Sequence, residues 1–184
     1  MDAELNTGLS ASDMPSYVKR SFKNGHAKRV HLKAGMMLFT VSNRGNFTNS
    51  GAFGGVPAFW SPYKKFKHDP GFQARVEMAK AGGMKAEELF TELSAFYGKH
   101  PGGRYAIVGK LKRSCYAFFG PIRRQGKSAA QVAAATASGS AGTGGGAAAA
   151  PGSAKNFVGY QFYIPNLEEG TDIHRVRKHD LLSL

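Results

Sequence analysis

The chain of 184 residues has one cysteine, one tryptophan, and 12 acidic residues against 25 lysines and arginines. A single thiol, Cys115, cannot close an internal disulfide. No Cys/His group has zinc-ligand spacing, so no metal is expected. Cys115 lies in the apolar run Ser-Cys-Tyr-Ala-Phe-Phe and reads as a packed core thiol, not a nucleophile. A reducing compartment fits this cysteine usage. No stretch of about 20 apolar residues occurs, so no membrane-spanning helix is expected. The start, Met-Asp-Ala-Glu-Leu-Asn, lacks the basic and apolar parts of a signal peptide. The expectation is therefore a cytoplasmic protein, or one exported by a dedicated secretion system. The chain also lacks a P-loop, a Gly-x-Gly-x-x-Gly turn, a His-Glu-x-x-His helix and a Gly-x-Ser-x-Gly elbow. These absences remove the common nucleotide-hydrolysing, metalloprotease and serine-hydrolase classes.

What is present in excess is positive charge. The net charge is +13, with a pI near 10.0. Such a field favours an anionic partner: a phosphate-bearing ligand such as NAD, nucleic acid, or an acidic protein. Hydrophobic residues make up 42% of the chain and include 13 Phe and 7 Tyr, enough to build a core on aromatics.

Along the chain, residues 1–11 are small and polar, an expected loose lead. Met14, Tyr17, Val18 and Phe22 have helical spacing, and Asn24-Gly25 ends that helix. A strand is expected at about 36–42, followed by a Gly/Asn-rich loop over 43–57. Asp69-Pro70 starts a helix that Gly82-Gly83 breaks, and a second helix is expected at 84–97. Arg104–Lys112 and Ser114–Phe119 alternate as strands. Asn156–Ile164 carries aromatics on both faces, which suits a central strand. A short strand, Ile173–Val176, precedes the basic tail. Between the late strands, residues 126–155 are almost all Ala, Gly and Ser. That composition cannot bury enough apolar surface to offset its ordering entropy, so a disordered insert is expected. The order of elements argues for one α+β domain with an N-terminal helix and a central mixed or antiparallel sheet. Two helices stand between its early and late strands, and the insert lies between two late strands.

Five short segments form one constellation. They are Leu32-x-x-Gly35-x-x-Leu38-Phe39, Phe59-Trp60-Ser61-Pro62, Tyr105-x-Ile-Val-x-Lys-Leu, Tyr116-Ala-Phe-Phe-Gly-Pro121 and Gly159-Tyr160-Gln161-Phe162-Tyr163. Together they resemble the NAD-using toxin fold shared by ADP-ribosyltransferases and the tuberculosis necrotizing toxin family of NAD glycohydrolases. The resemblance covers roughly residues 32–165. It implies NAD as substrate, no metal, and an immunity protein as partner if the chain is a toxin. It implies Gln161 and Ser61 as catalytic residues, with Phe59, Trp60 and Tyr63 lining the nicotinamide side and Arg44 as the nearest arginine. Transferases carry Arg or His near the position of Thr40 here, and a glutamate at that of Tyr163. Transfer would therefore need Glu168 or Glu169, whereas glycohydrolysis needs only Gln161.

A second constellation mixes aromatics with cations: Trp60, Tyr63, Lys64, Lys65, Phe66, Lys67, His68. Stacking rings and phosphate-binding lysines suit a single-stranded nucleic acid. Arg123, Arg124, Arg175 and Arg177 would extend that surface. A non-enzymatic nucleic-acid-binding protein is thus the alternative to an NAD-consuming effector. An accessory protein that meets an acidic partner is the third reading. The histidines are scattered, and nothing in the sequence places two together.

Overall fold

The computed structural model describes residues 3–42, 47, 56–69, 71–81, 83, 105–123 and 159–180. They form a seven-stranded sheet with two helices against it. The elements are α1 (Ser16–Ser21), β1 (Lys28–Leu32), β2 (Met37–Ser42), β3 (Phe59–Pro62), α2 (Phe72–Ala81), β4 (Tyr105–Leu111), β5 (Cys115–Pro121), β6 (Tyr160–Tyr163) and β7 (Ile173–Asp180). The strand order is β1-β5-β6-β3-β2-β4-β7, and every pairing is antiparallel. The fold is thus more sheet-rich than the expected α+β arrangement, and broadly mixed.

β3 joins the two halves of the sheet. Its first residues pair with β6, Phe59 to Tyr163 and Trp60 to Phe162. Its last residues pair with β2, Ser61 to Phe39 and Pro62 to Leu38. A four-residue strand therefore changes partner midway.

Both faces of the sheet are covered, and strand alternation explains how. On one face lie Leu38, Trp60, Ile107, Leu111, Phe119 and Phe162, capped by Phe47, Phe66 and Leu167. On the other face the odd and even positions swap. Phe39, Val41, Ala106 and Val108 meet Phe72 of α2. Phe118 and Tyr163 meet Met14, Val18 and Phe22 around α1. Strands such as β4 and β6 are therefore apolar on both sides, as expected of interior strands. Trp60 is 1% exposed and stacks edge-on against Phe47 at 5.3 Å. Its indole N–H donates to Pro57 O at 2.6 Å, so its burial leaves no donor unpaired.

Gly120 admits the approach of α1. A Cβ at this position would lie 2.2 Å from His26 O and 2.9 Å from Phe22 Cδ1. The chain leaving α1 rests directly on the β5 backbone there. Arg123 N–H then donates to Ser21 O at 2.8 Å, which ties the end of β5 to the end of α1.

Several expectations are met. β2, β4 and β5 fall where alternation placed them, α1 lies within 14–22, and α2 ends at Ala81 beside the expected Gly82-Gly83 break. β5 and β6, which flank the insert, are neighbours in the sheet. Others are corrected. β1 lies in a lysine- and arginine-rich stretch where no strand was expected. Its charged residues face outward while Val30 and Leu32 are buried, a pattern short enough to be masked by the charge. β3 read as the end of a loop, because three of its four residues are buried and no alternation shows. β7 runs to Asp180, beyond the expected Val176. The lead at 1–11 is not loose at Leu5 and Asn6. Leu5 bridges to β5 through Leu5 N to Ser114 O at 3.1 Å and Tyr116 N to Leu5 O at 3.0 Å, and Asn6 Nδ2 donates to Pro165 O at 2.9 Å. The helix expected at 84–97, the insert at 126–155, Arg44 and Arg124 lie outside the described residues.

Candidate functional site

The two residues expected to be catalytic, Ser61 and Gln161, lie on β3 and β6, which pair with each other. The β3–β6 register pairs 59 with 163 and 60 with 162. The pairing with β6 ends there, and the next residue, Ser61, pairs with Phe39 of β2, while Gln161 pairs with Gly120 of β5. Both residues belong to the face that carries α1 and α2. Ser61 shares it with its partner Phe39, and Gln161 shares it with Tyr163. Ser61 is 3% exposed and Gln161 is 1% exposed.

The Gln161 carboxamide is held from the α1 side. Its Nε2 donates to Ser21 Oγ at 2.8 Å and to Ser21 O at 3.3 Å. Ser21 Oγ uses its own proton on Val18 O at 2.7 Å. The hydroxyl can therefore only accept from Gln161, which orients the amide with NH2 toward Ser21. Gln161 Oε1 is buried and has no hydrogen-bond partner among the described residues. An unpaired buried carbonyl costs about 1–3 kcal/mol, so the fold carries a penalty at this atom.

The remaining expected residues are dispersed. Phe59 is half-buried against Tyr163, ring centroids 5.5 Å apart. Burial and the neighbouring Tyr17 raise the Tyr163 phenol above its ordinary pKa, so it stays protonated. Tyr63 is half-buried against the Phe39 cluster on the same face. Trp60 points to the opposite face and is enclosed by the core, so its ring is not an open stacking platform. Alternation along β3 separates it from Phe59 and Ser61. Glu168 and Glu169 are exposed in the turn before β7. That turn is tied by Glu168 N–H to Asp172 Oδ2 at 2.8 Å.

The basic residues also divide. Lys64, Lys65 and Lys67 are exposed in the segment after β3, and Arg123 is exposed beyond β5. Lys67 lines a pocket with Lys28 at the start of β1. Arg175 and Arg177 are exposed on β7, the edge strand at the other end of the sheet. The tail therefore does not continue the Lys67 surface along one edge. Charges on both edge strands have a structural role as well, since they oppose pairing with a second sheet.

Sequence reasoning found neither Ser21 nor the cluster of His26, Lys28 and His68. Ser21 carries no signal of its own, because its role depends on the C-terminal end of α1 lying over β6. Among the described residues no group of three or more His, Cys, Asp or Glu could hold a metal ion. No helix among them is long and apolar enough to cross a membrane. Cys115 is buried, and desolvation pushes its thiol up to about 12.

No protein-family model and no curated protein matches the chain. Among solved structures, the chain is similar to "Rhs1-CT in complex with cognate immunity protein RhsI1". The identity is 13% and the TM-score 0.43, over 84% of this chain and 80% of that one.

Proposed function

We propose that the chain is an NAD-consuming effector that breaks the nicotinamide–ribose bond, by glycohydrolysis or by ADP-ribosyl transfer. One observation carries the reading. Ser61 and Gln161, one hundred positions apart in the chain, lie buried on the paired strands β3 and β6 on one face of the sheet, and the buried Gln161 carbonyl has no hydrogen-bond partner among the described residues.

The chemistry fits such a pair. Nicotinamide leaves with the electrons of the C–N bond, and positive charge develops on the ribose. A fixed dipole with its negative end toward that charge stabilises it without proton transfer. Gln161 Oε1 is such a dipole, held in direction by the Ser21 contact to Nε2. Ser61 Oγ is placed to position the ribose or the amide. In glycohydrolysis, water then adds to the ribose carbon and releases its proton to solvent. In transfer, a nucleophile of the target takes the place of water. The basic surface suits the dianionic pyrophosphate. The burial of both residues means that the C-terminal end of α1 must give way for NAD to reach Gln161. Such an activity also harms the cell that makes it, so an immunity protein with an acidic face is the expected partner.

The test is nicotinamide release from NAD by the purified protein, with Ser61→Ala and Gln161→Met as the variants. The expected result is release by the parent chain and its loss in both variants while the fold persists. If no nicotinamide is released, and no ADP-ribose label passes from NAD to any component of a cell lysate, the reading fails.

The nucleic-acid reading is favoured by the exposed cations of both edge strands, Lys28 and Arg29 on β1 and Arg175 and Arg177 on β7. It requires affinity for RNA or DNA that falls steeply with salt. An accessory role with an acidic protein is left if neither assay responds.

A further inference from the structure

At the β1 end of the sheet, where β5 and β6 end, lies a pocket of about 690 Å³. That volume is in the range of small-ligand sites. Its lining combines His26 and Lys28, from the segment that follows α1, with Lys67 and His68, from the segment between β3 and α2. Tyr160 and Pro121 supply an apolar wall where β5 and β6 end. No carboxylate is among the lining residues. The nearest acid in the chain sequence, Asp69, is buried and paired with Arg75, so it does not neutralise the lysines.

The cluster is ordered by its own contacts. Lys28 Nζ lies 3.1 Å from His68 Nδ1. An ammonium has only protons to offer, so Nδ1 accepts and the His68 proton resides on Nε2. Desolvation, with Lys28 and Lys67 nearby, holds the His68 pKa below its ordinary value. His68 thus stays a neutral donor among cations. The Phe66 ring meets it edge-on at 5.3 Å and fixes the imidazole. Phe119 stacks under Tyr160 at 5.3 Å with planes 19° apart and supports the wall. Two lysines and a fixed N–H donor, converging beside a flat apolar wall, match a phosphate attached to an aromatic group.

We propose that this pocket binds a nucleotide phosphate, with Lys28, Lys67 and His68 on the phosphate and the Tyr160–Pro121 wall beside the base. The nucleotide is either free or the terminal unit of a single strand, and the phosphate chemistry is the same for both. The inference stands on its own residues and does not require the NAD reading.

Binding would be measured by calorimetry on the full chain with three probes: inorganic phosphate, adenosine 5′-monophosphate and a short single-stranded oligonucleotide carrying a 5′-phosphate. The expected result is that the monophosphate binds more tightly than inorganic phosphate. Lys28→Ala and Lys67→Ala should each weaken it about tenfold or more, the worth of a charge-assisted contact. His68→Phe, which keeps the ring contact, should weaken it as well. A free-nucleotide site binds the monophosphate and the oligonucleotide alike. A strand-end site binds the oligonucleotide more tightly, with the same dependence on Lys28 and Lys67. No binding of any probe at millimolar concentration would overturn the proposal. So would binding indifferent to both lysine substitutions, or binding lost only in the Ser61 and Gln161 variants, which would place the ligand at the other site. Failure of nicotinamide release leaves this result untouched, so the two readings fail separately.

Discussion

Gln161 Nε2 donates to Ser21 Oγ at 2.8 Å, across 140 residues of chain, while the carbonyl of the same amide is buried without a partner among the described residues. This half-satisfied amide separates stability from function. Gln161→Met keeps an unbranched side chain and removes the unpaired carbonyl. Combined with Ser21→Ala, it removes both polar partners at once. The expected double variant is as stable as the parent, or more so by about 1 kcal/mol, yet inactive on NAD. Thermal melts beside nicotinamide release would show it. A loss of several kcal/mol in the double variant would mean that the amide is held for stability alone.

The contact between Gly120 and the end of α1 leaves no room for a side chain. Gly120→Ala places its Cβ against His26 O, a backbone atom that cannot rotate away. The segment after α1 must lift, which uncovers Phe22 and Phe118. The expected cost is about 1–3 kcal/mol, read as a lower midpoint in urea. An unchanged midpoint would show that this segment does not rest on β5 in solution.

Asp69 and Arg75 form a buried pair at the start of α2, with side chains 1% and 11% exposed. Arg75 also lies over the Tyr160 ring, 5.1 Å from its centre. Arg75→Ala strands the Asp69 charge in the interior. The expected destabilisation is about 3–5 kcal/mol, and Asp69→Asn in the same chain should recover part of it. Chemical denaturation of the single and double variants would measure both.

The Cys115 thiol, ordinarily near 9.0, is pushed up to about 12, chiefly by desolvation. Below pH 9 the thiol is protonated folded and unfolded, so no penalty arises. Between about 9 and 12 only the unfolded chain ionises, and stability falls as pH rises by about 1.4 kcal/mol per pH unit. Cys115→Ala should lack that component of the alkaline slope. In the native protein at pH 8 the thiol should also resist alkylation until denaturant is added. Fast labelling without denaturant would contradict its burial.

β5 and β6 pair as far as Pro121 with Tyr160, so the ends that the insert connects are already adjacent. Deletion of residues 128–153 should preserve a cooperative melt and nicotinamide release. Shortening a loop severalfold changes its closure entropy by only about 1 kcal/mol, in the stabilising direction. A lost melting transition would mean that this stretch contributes to the core.

The sequence alone carried the local features. Glycines and prolines bound β2, β4 and β5, and the apolar run around Cys115 makes it a core thiol. The Ala/Gly/Ser composition separates the insert from the rest. These features depend on neighbours within a few residues, so they are legible along the chain. Tertiary structure decided the rest. β1 and β7 become edge strands only once five others lie between them, and β3 is a strand because β6 and β2 each hold half of it. Trp60 and Ser61 are adjacent in sequence, yet alternation sends one to the face packed around Phe47 and the other to the face that carries α1 and α2. Lys28 and His68 meet because the start of β1 and the segment after β3 approach the same sheet edge. Pairing between strands so far apart is set by which faces can be buried together. No short stretch of sequence encodes that choice, so the site and the pocket emerged only when the sheet closed around them.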